Sequence, residues 1–225
     1  MTLSSEDQAF LKTYDDSKYA KPSVTADIVI FSYTRKPDFC CLSDDCLSDG
    51  SIQVLLIRRG KSPYKDQFAL PGGFVEPDES VDDAAQRELM EETGIVCTSL
   101  EPIRTFSAPD RDPRRWVISC AYLALVDASL INVQADDDAK DAQWFQIFLT
   151  KEKDGQWNLE LKNTSEFQPF TIHLRLQETT QSDANSLLPP ATHLSLTDHE
   201  HGLAFDHGEI LGYAIQKLLA LAIPR

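Results

Sequence analysis

The stretch from Gly72 to Ile95, GGFVEPDESVDDAAQRELMEETGI, constrains this chain more than any other. It carries the signals of one helix bracketed at both ends. Ser80 is a good N-cap with Asp83 at the capping-box position, and Gly94 supplies a C-terminal stop. A helix over Ser80 to Thr93 is predicted. Val81, Ala84, Ala85 and Leu89 form its apolar side, and the small alanines allow close packing on a sheet. Glu88, Glu91 and Glu92 stand at i, i+3 and i+4, so three carboxylates reach one patch. Like charges at that spacing destabilise a helix. A solvated acidic face is the ordinary explanation. Here the glycine pair Gly72 and Gly73 lets the backbone approach a ligand, and Glu79 adds an acid at the same turn. Mg²⁺ is commonly shared between a few carboxylates and a substrate phosphate. The repulsion therefore reads as the mark of a metal site. Arg87, four residues before Glu91, can pair with it.

The rest of the chain alternates between β and α patterns. Ser5 to Tyr14 can form a short helix with Phe10 and Leu11 as apolar contacts. Ser23 to Tyr33 and Ser51 to Arg59 are β-branched and aromatic and read as paired strands. The loop between them, CLSDDCLSDG, has Cys40, Cys41 and Cys46 in or beside it; free thiols are favoured over a metal knuckle, which wants two separated Cys pairs. Further strands are expected at about Leu100 to Phe106, Trp116 to Val126 and Ala142 to Phe148, and a last helix at Phe205 to Leu219. Residues 150 to 198 look inserted into a core of about 23–149 and 199–222. QWNLELK and FTIHLRLQ alternate apolar and polar residues and read as a hairpin, followed by a polar, mobile tract, ETTQSDANSLLPPATH. The hairpin's apolar face needs a cover, and a second subunit is favoured over the chain's own core; a homodimer is therefore expected.

A formal net charge of −15 argues against nucleic acid and anionic lipid as partners. The N-terminal residues show no signal-peptide pattern, and no apolar run is long enough to span a membrane. Five cysteines form no disulfide-framework spacing. A cytoplasmic protein acting on a small molecule is the expectation.

From Gly73 the residues run Gly, five others, Glu79, seven others, Arg87-Glu88-Leu89, one other, Glu91-Glu92, one other, Gly94-Ile95. This resembles the signature box of the Nudix hydrolases at every defined position. The resemblance implies an α/β/α sandwich with a mixed sheet. It implies Mg²⁺- or Mn²⁺-dependent hydrolysis of a nucleoside diphosphate linked to another moiety. It makes Glu88, Glu91 and Glu92 metal ligands, joined by a backbone carbonyl of Gly72 or Gly73. Arg87 would orient the glutamates, and Glu79 would be a structural or water-orienting acid. The segments TADIVIF, LLIRRGKSPYKDQFALPGGFVE, APDRDPRRWVISCAYLALV, DDAKDAQWF and LAFDHGEIL resemble a narrower group, the ADP-ribose pyrophosphatases and related Nudix regulators of NAD metabolism. ADP-ribose hydrolysis to AMP and ribose 5-phosphate is then the leading expectation. NADH or nucleotide-sugar cleavage is the alternative. An ADP-ribose-sensing regulator is a third reading, though no winged-helix pattern follows the last helix.

Guanidinium forks match phosphate oxygens, so Arg58, Arg59, Arg111, Arg114 and Arg115 are candidates for gripping a pyrophosphate. Phe68 or Tyr33 could stack on adenine. Related enzymes draw a further acid from the loop that here holds Asp137 and Asp138; Asp138 is the candidate base. His207 is read as structural before functional.

Overall fold

The sheet is organised around β1 (Ser23–Tyr33), whose residues from Thr25 to Ser32 are all buried. A strand covered on both faces reads as a near-continuous apolar run, and SVTADIVIFSY does so apart from Asp27. β2 (Ile52–Arg58) pairs with it antiparallel and β6 (Val117–Val126) parallel. The computed structural model describes residues 3–33, 47–96, 99–127, 142–163, 169–181, 191–197 and 202–221. The cysteine loop at 40–46 and the acids Asp137 and Asp138 lie outside them.

The other strands are β3 (Phe68–Ala69), β4 (Gly72–Phe74), β5 (Glu101–Phe106), β7 (Ala142–Lys151), β8 (Gln156–Asn163), β9 (Thr171–Gln181) and β10 (Ala191–Leu196). They form one ten-stranded sheet in the order β10-β9-β8-β7-β2-β1-β6-β5, with β3 on β2 and β4 on β1. The mixed sheet is sandwiched by α2 (Val81–Thr93) on one face and α3 (His207–Leu221) on the other. This is the expected α/β/α class.

Side chains alternate across a strand, and β1 feeds both faces. Ala26, Ile28 and Ile30 meet Ala84, Ala85 and Leu89 of α2. Val29 and Phe31 join the larger core that Ile210, Leu211, Ala214 and Leu218 of α3 complete. The same alternation puts Asp27 on the α3 face. α2 begins and ends as read. Ser80 caps it reciprocally with Asp83, and Gly94 closes it at φ 70°.

The segment 150–198 is more than a hairpin. β9 runs on to Gln181, and Ala191–Leu196 forms a third strand beside it, within what was read as a mobile tract. β8 pairs with β7, so the segment continues the central sheet. Its apolar face is covered from within. Trp157, Leu159, Leu161, Ile172, Leu174 and Leu176 are buried in the core with α3. Burying one such side chain stabilises by about 1.5–3 kcal/mol. α3 lies so close to β10 that a Cβ on Gly212 would collide with the Leu194 carbonyl oxygen. The expected subunit cover for that face is thus replaced by the chain's own C-terminal helix. Phe170 alone of the seven stays 48% exposed.

α1 (Ser5–Thr13) forms as expected, capped by Ser4 and Asp7. Phe10 and Leu11 are not its packing contacts, being 59% and 53% exposed. The last helix starts at His207, two residues later than read, because Phe205 sits at φ 55° outside helical space.

Candidate active site

The turn from β3 through β4 delivers Gly72 and Gly73 to the C-terminal half of α2, where Glu88 and Glu92 stand, and the glycines are needed for space. At Gly72, φ is 149° and a Cβ would strike the Ala26 carbonyl oxygen. At Gly73 a Cβ would strike the Glu88 carboxylate. The backbone therefore lies against the helix acids, as the sequence pattern required.

Arg87 organises three of these acids. It donates to both carboxylate oxygens of Glu79 (3.0 and 2.7 Å), to Glu88 (2.7 Å), to Glu91 (3.1 Å) and to the Phe74 carbonyl (3.1 Å). The guanidinium lowers the Glu79 pKa to about 2. Glu91, with 59% of its side chain exposed, is held only at this edge. So Arg87 relieves much of the repulsion that the sequence assigned to a metal.

Glu92 is outside that arrangement. It accepts the Gly72 N–H at 2.7 Å, and burial, helped by the charges of Glu88 and Asp27, pushes its pKa up to about 8. Burial also raises Glu88, against the pull of Arg87. Two desolvated carboxylates beside the glycine backbone are hard oxygen donors of the kind a divalent cation takes. Among the described residues no three His, Cys, Asp or Glu side chains converge on one point. The donors available to a cation include Glu88 and Glu92 with backbone oxygens of the turn, while Glu91 shares the Arg87 Nη1 with Glu88.

Opposite Glu92 the cleft carries three arginines, of which Arg111 is paired with Asp206 and Arg114 with the buried Asp112. The cleft's volume is about 160 Å³, and Asp27, Arg59, Glu92, Arg111, Arg114 and Phe205 line it. The guanidinium of Arg59 lies 4.6 Å from the Phe205 ring centroid and that of Arg114 lies 5.3 Å from it. Burial lowers the Arg59 pKa, and the charge of Arg114 lowers it further. Two guanidiniums sharing one ring across a cleft are set to close on an anion. Phe205 is held in a left-handed conformation that a bulky residue rarely adopts, as residues at ligand clamps often are. Thr25 Oγ1, buried at the cleft, has no hydrogen-bond partner among the described residues. A buried hydroxyl left so marks a place for a further donor or acceptor.

Beneath the cleft lies a polar network from three distant segments. Arg111, only 5% exposed, makes a double hydrogen bond with Asp206 (2.8 and 2.6 Å) and comes within 3.7 Å of Asp27. Ser119 Oγ donates to Asp27. His207 Nδ1 accepts the Leu70 N–H at 2.8 Å, which leaves its proton on Nε2, 3.9 Å from Asp27. Burial lowers the His207 pKa, consistent with a neutral ring. His207 thus carries the structural bond expected and also lines the cleft.

Of the arginine candidates, Arg59, Arg111 and Arg114 meet at the cleft. Arg58 faces away, its Nε donating to the Asp66 carbonyl at 3.3 Å. It follows Ile57 on β2, and alternation turns one of the two from the cleft. Arg115 packs over Phe74 at 5.1 Å. Phe68 is not a stacking platform: it is 8% exposed and wedged edge-on against Phe145 in the core. Tyr33 bonds Asp127, away from the cleft. Phe74 and Phe205 are aromatic residues of the cleft, and the sequence reading passed over both. Asp27 was also missed, though a lone acid in a buried apolar run was a visible signal.

A helix here presents partly buried carboxylates to a glycine turn, with guanidiniums across a small cleft, and this chemistry suits a phosphorylated ligand and a cation. The NUDIX domain family matches residues 45–162, more than half of the chain, and this protein belongs to that family. It is 44% identical over 103 residues to the ADP-ribose pyrophosphatase of Methanocaldococcus jannaschii, covering 44% of this chain and 60% of that protein. It is 34% identical over 145 residues to the ADPR responsive transcriptional repressor NtrR of Acinetobacter baylyi, covering 64% of this chain and 52% of that one. The chain thus spans between half and three-fifths of these curated relatives. The crystal structure of a MutT/nudix family protein from Enterococcus faecalis superposes on 97% of this chain and 70% of its own, with 29% identity and a TM-score of 0.66. That span takes in most of the segment 150–198, for which the sequence alone offered no counterpart.

Proposed function

We propose that this protein is a divalent-cation-dependent hydrolase of nucleoside diphosphates linked to a second moiety, with ADP-ribose, cleaved to AMP and ribose 5-phosphate, as its favoured substrate. The carrying observation is the pairing of the partly buried Glu88 and Glu92 at the glycine turn with Arg59 and Arg114 across the cleft. Acid on one wall and guanidinium on the other suit a metal-bridged diphosphate. The identity to an ADP-ribose pyrophosphatase supports the choice of substrate.

In this reading Glu88, Glu92 and a carbonyl of Gly72 or Gly73 hold Mg²⁺ or Mn²⁺, with Glu91 at the rim. The ion supplies activation of the attacking water and offsets charge on the phosphoryl oxygens. Arg87 keeps Glu88 in place and Glu79 keeps Arg87 in place. Arg59 and Arg114 grip the diphosphate, and Arg111 holds the cleft wall. Asp138 is proposed to take the proton of the water.

The test is a panel of ADP-ribose, NADH, nucleotide sugars, 8-oxo-dGTP and dinucleoside tetraphosphates with Mg²⁺ or Mn²⁺, products being resolved by chromatography. ADP-ribose should show the highest kcat/KM. Faster cleavage of a nucleoside triphosphate would defeat the assignment. A second reading, a non-hydrolytic sensor of ADP-ribose, is favoured by the identity to the repressor. Tight ADP-ribose binding without turnover of any compound in the panel would select it.

A further inference from the structure

A second cavity, of about 460 Å³, lies beside the Arg111–Asp206 pair; Arg111 lines both cavities, and Asp206 lines this one. Its other walls come from β5, the following loop and α3, and Arg104, Phe106, Glu209 and Tyr213 are among them. The mechanism above uses none of these four.

The floor is an aromatic stack. The Tyr213 ring lies parallel to His193, with centroids 4.5 Å apart and planes 14° from parallel. Phe106 meets it edge-on at 5.4 Å. The Arg104 guanidinium lies over the same ring at 4.9 Å and donates to the Tyr213 hydroxyl. β5 and α3 are remote in sequence, so only the tertiary fold makes this stack.

Size separates the two cavities. Sites that enclose a small organic ligand run to about 300–1,000 Å³. At about 160 Å³ the cleft can take a diphosphate but not the groups on either side of it. The second cavity reaches that range and adjoins the cleft. Its chemistry suits a flat heterocycle better than a sugar phosphate. A guanidinium over a tyrosine ring extends a stacking surface, while the three acids of the lining, Asp110, Asp206 and Glu209, outnumber its two arginines, Arg104 and Arg111.

We propose that this second cavity receives the nucleoside end of the substrate, its base stacked on the outer face of the Arg104 guanidinium, which the Tyr213 ring backs, with the Arg111–Asp206 pair as the partition between base and diphosphate. The inference rests on the reading of the cleft as a diphosphate site.

The test is calorimetric titration of AMP and, separately, ribose 5-phosphate into wild-type protein, Tyr213→Leu and Arg104→Ala in the presence of Mg²⁺. Arg104→Ala should weaken AMP binding roughly tenfold, as loss of base stacking does. Tyr213→Leu should weaken it roughly threefold, since the ring that holds the guanidinium plane is lost. Ribose 5-phosphate should bind all three alike. Arg104 is exposed on an edge strand, so its variant decides the matter if Tyr213→Leu does not fold. AMP binding that is unchanged in folded variants, a loss confined to ribose 5-phosphate, or no AMP binding by the wild type each overturns the proposal. Turnover is scored separately. ADP-ribose cleavage with AMP affinity indifferent to both residues removes the subsite and leaves the reaction. AMP affinity that depends on them, without turnover of any diphosphate, removes the reaction and leaves the subsite.

Discussion

The two walls of the cleft are built in opposite ways. The acidic wall is local: Arg87 reaches Glu79, Glu88 and Glu91 within eight residues, and Glu92 reaches Gly72 across twenty. The basic wall is assembled from afar. Arg111 meets Asp206 across 95 residues, and His207 meets the Leu70 amide across 137. A local wall forms wherever its helix forms. A remote wall exists only when α3 is docked on the sheet, and α3 docks on the strands of segment 150–198.

Deleting Lys151 to Ala191 would break this contrast most severely. It removes β8 and β9 and uncovers α3. The deletion variant is expected to lose cooperative unfolding and to precipitate or bind a hydrophobic dye. A soluble, cooperatively melting deletion variant would make the segment an appendage and the two walls independent.

On the acidic wall, Glu92→Gln keeps shape but removes the buried charge. Turnover should fall by two orders of magnitude or more, about 2.7 kcal/mol or above. Stability should hold or rise, since a carboxylate that burial and Glu88 disfavour is gone. Wild-type turnover at saturating Mg²⁺ would remove Glu92 from the metal site.

The remote wall should answer differently to Arg111→Gln. The double bond to Asp206 is lost, and Asp27 and Asp206 lose their shared cation. We expect KM for ADP-ribose to rise roughly tenfold and stability to drop, since breaking a buried pair leaves uncompensated charge. An unchanged KM with lowered stability would confine Arg111 to architecture.

The smallest effect belongs to the local wall's foundation. Ser80→Ala removes a cap on α2 and should cost about 1 kcal/mol in urea unfolding, with kcat nearly unchanged. A large fall in kcat without loss of stability would show that the cap positions the acids as well.

Glu79 gives a check by pH. Its pKa is lowered in the folded protein, so its contribution to stability is complete above the usual carboxylate range and fades as pH falls toward about 2. Carboxyl NMR should therefore find Glu79 still ionised at pH 4.

Much of the acidic wall was legible in the chain because its interactions follow helix periodicity, capping and glycine space, all short-range rules. Gly72, Gly73, Ser80, Arg87, Glu88, Glu92 and Gly94 do what their spacing required. Glu91 lies beside Glu88 as their spacing required, both accepting from one Arg87 nitrogen. The remote wall was legible only as residue types. Nothing local distinguishes Arg58, turned to Asp66, from Arg59, turned to the cleft, until β2 has a partner and a face. Phe68 and Phe205 look equally fit to stack on a ligand, yet one is wedged in the core and the other is strained over the cleft. The apolar alternation of segment 150–198 likewise announced a face needing cover. What covers it depended on where α3 lands, because burial is decided by contacts between segments that no local rule relates.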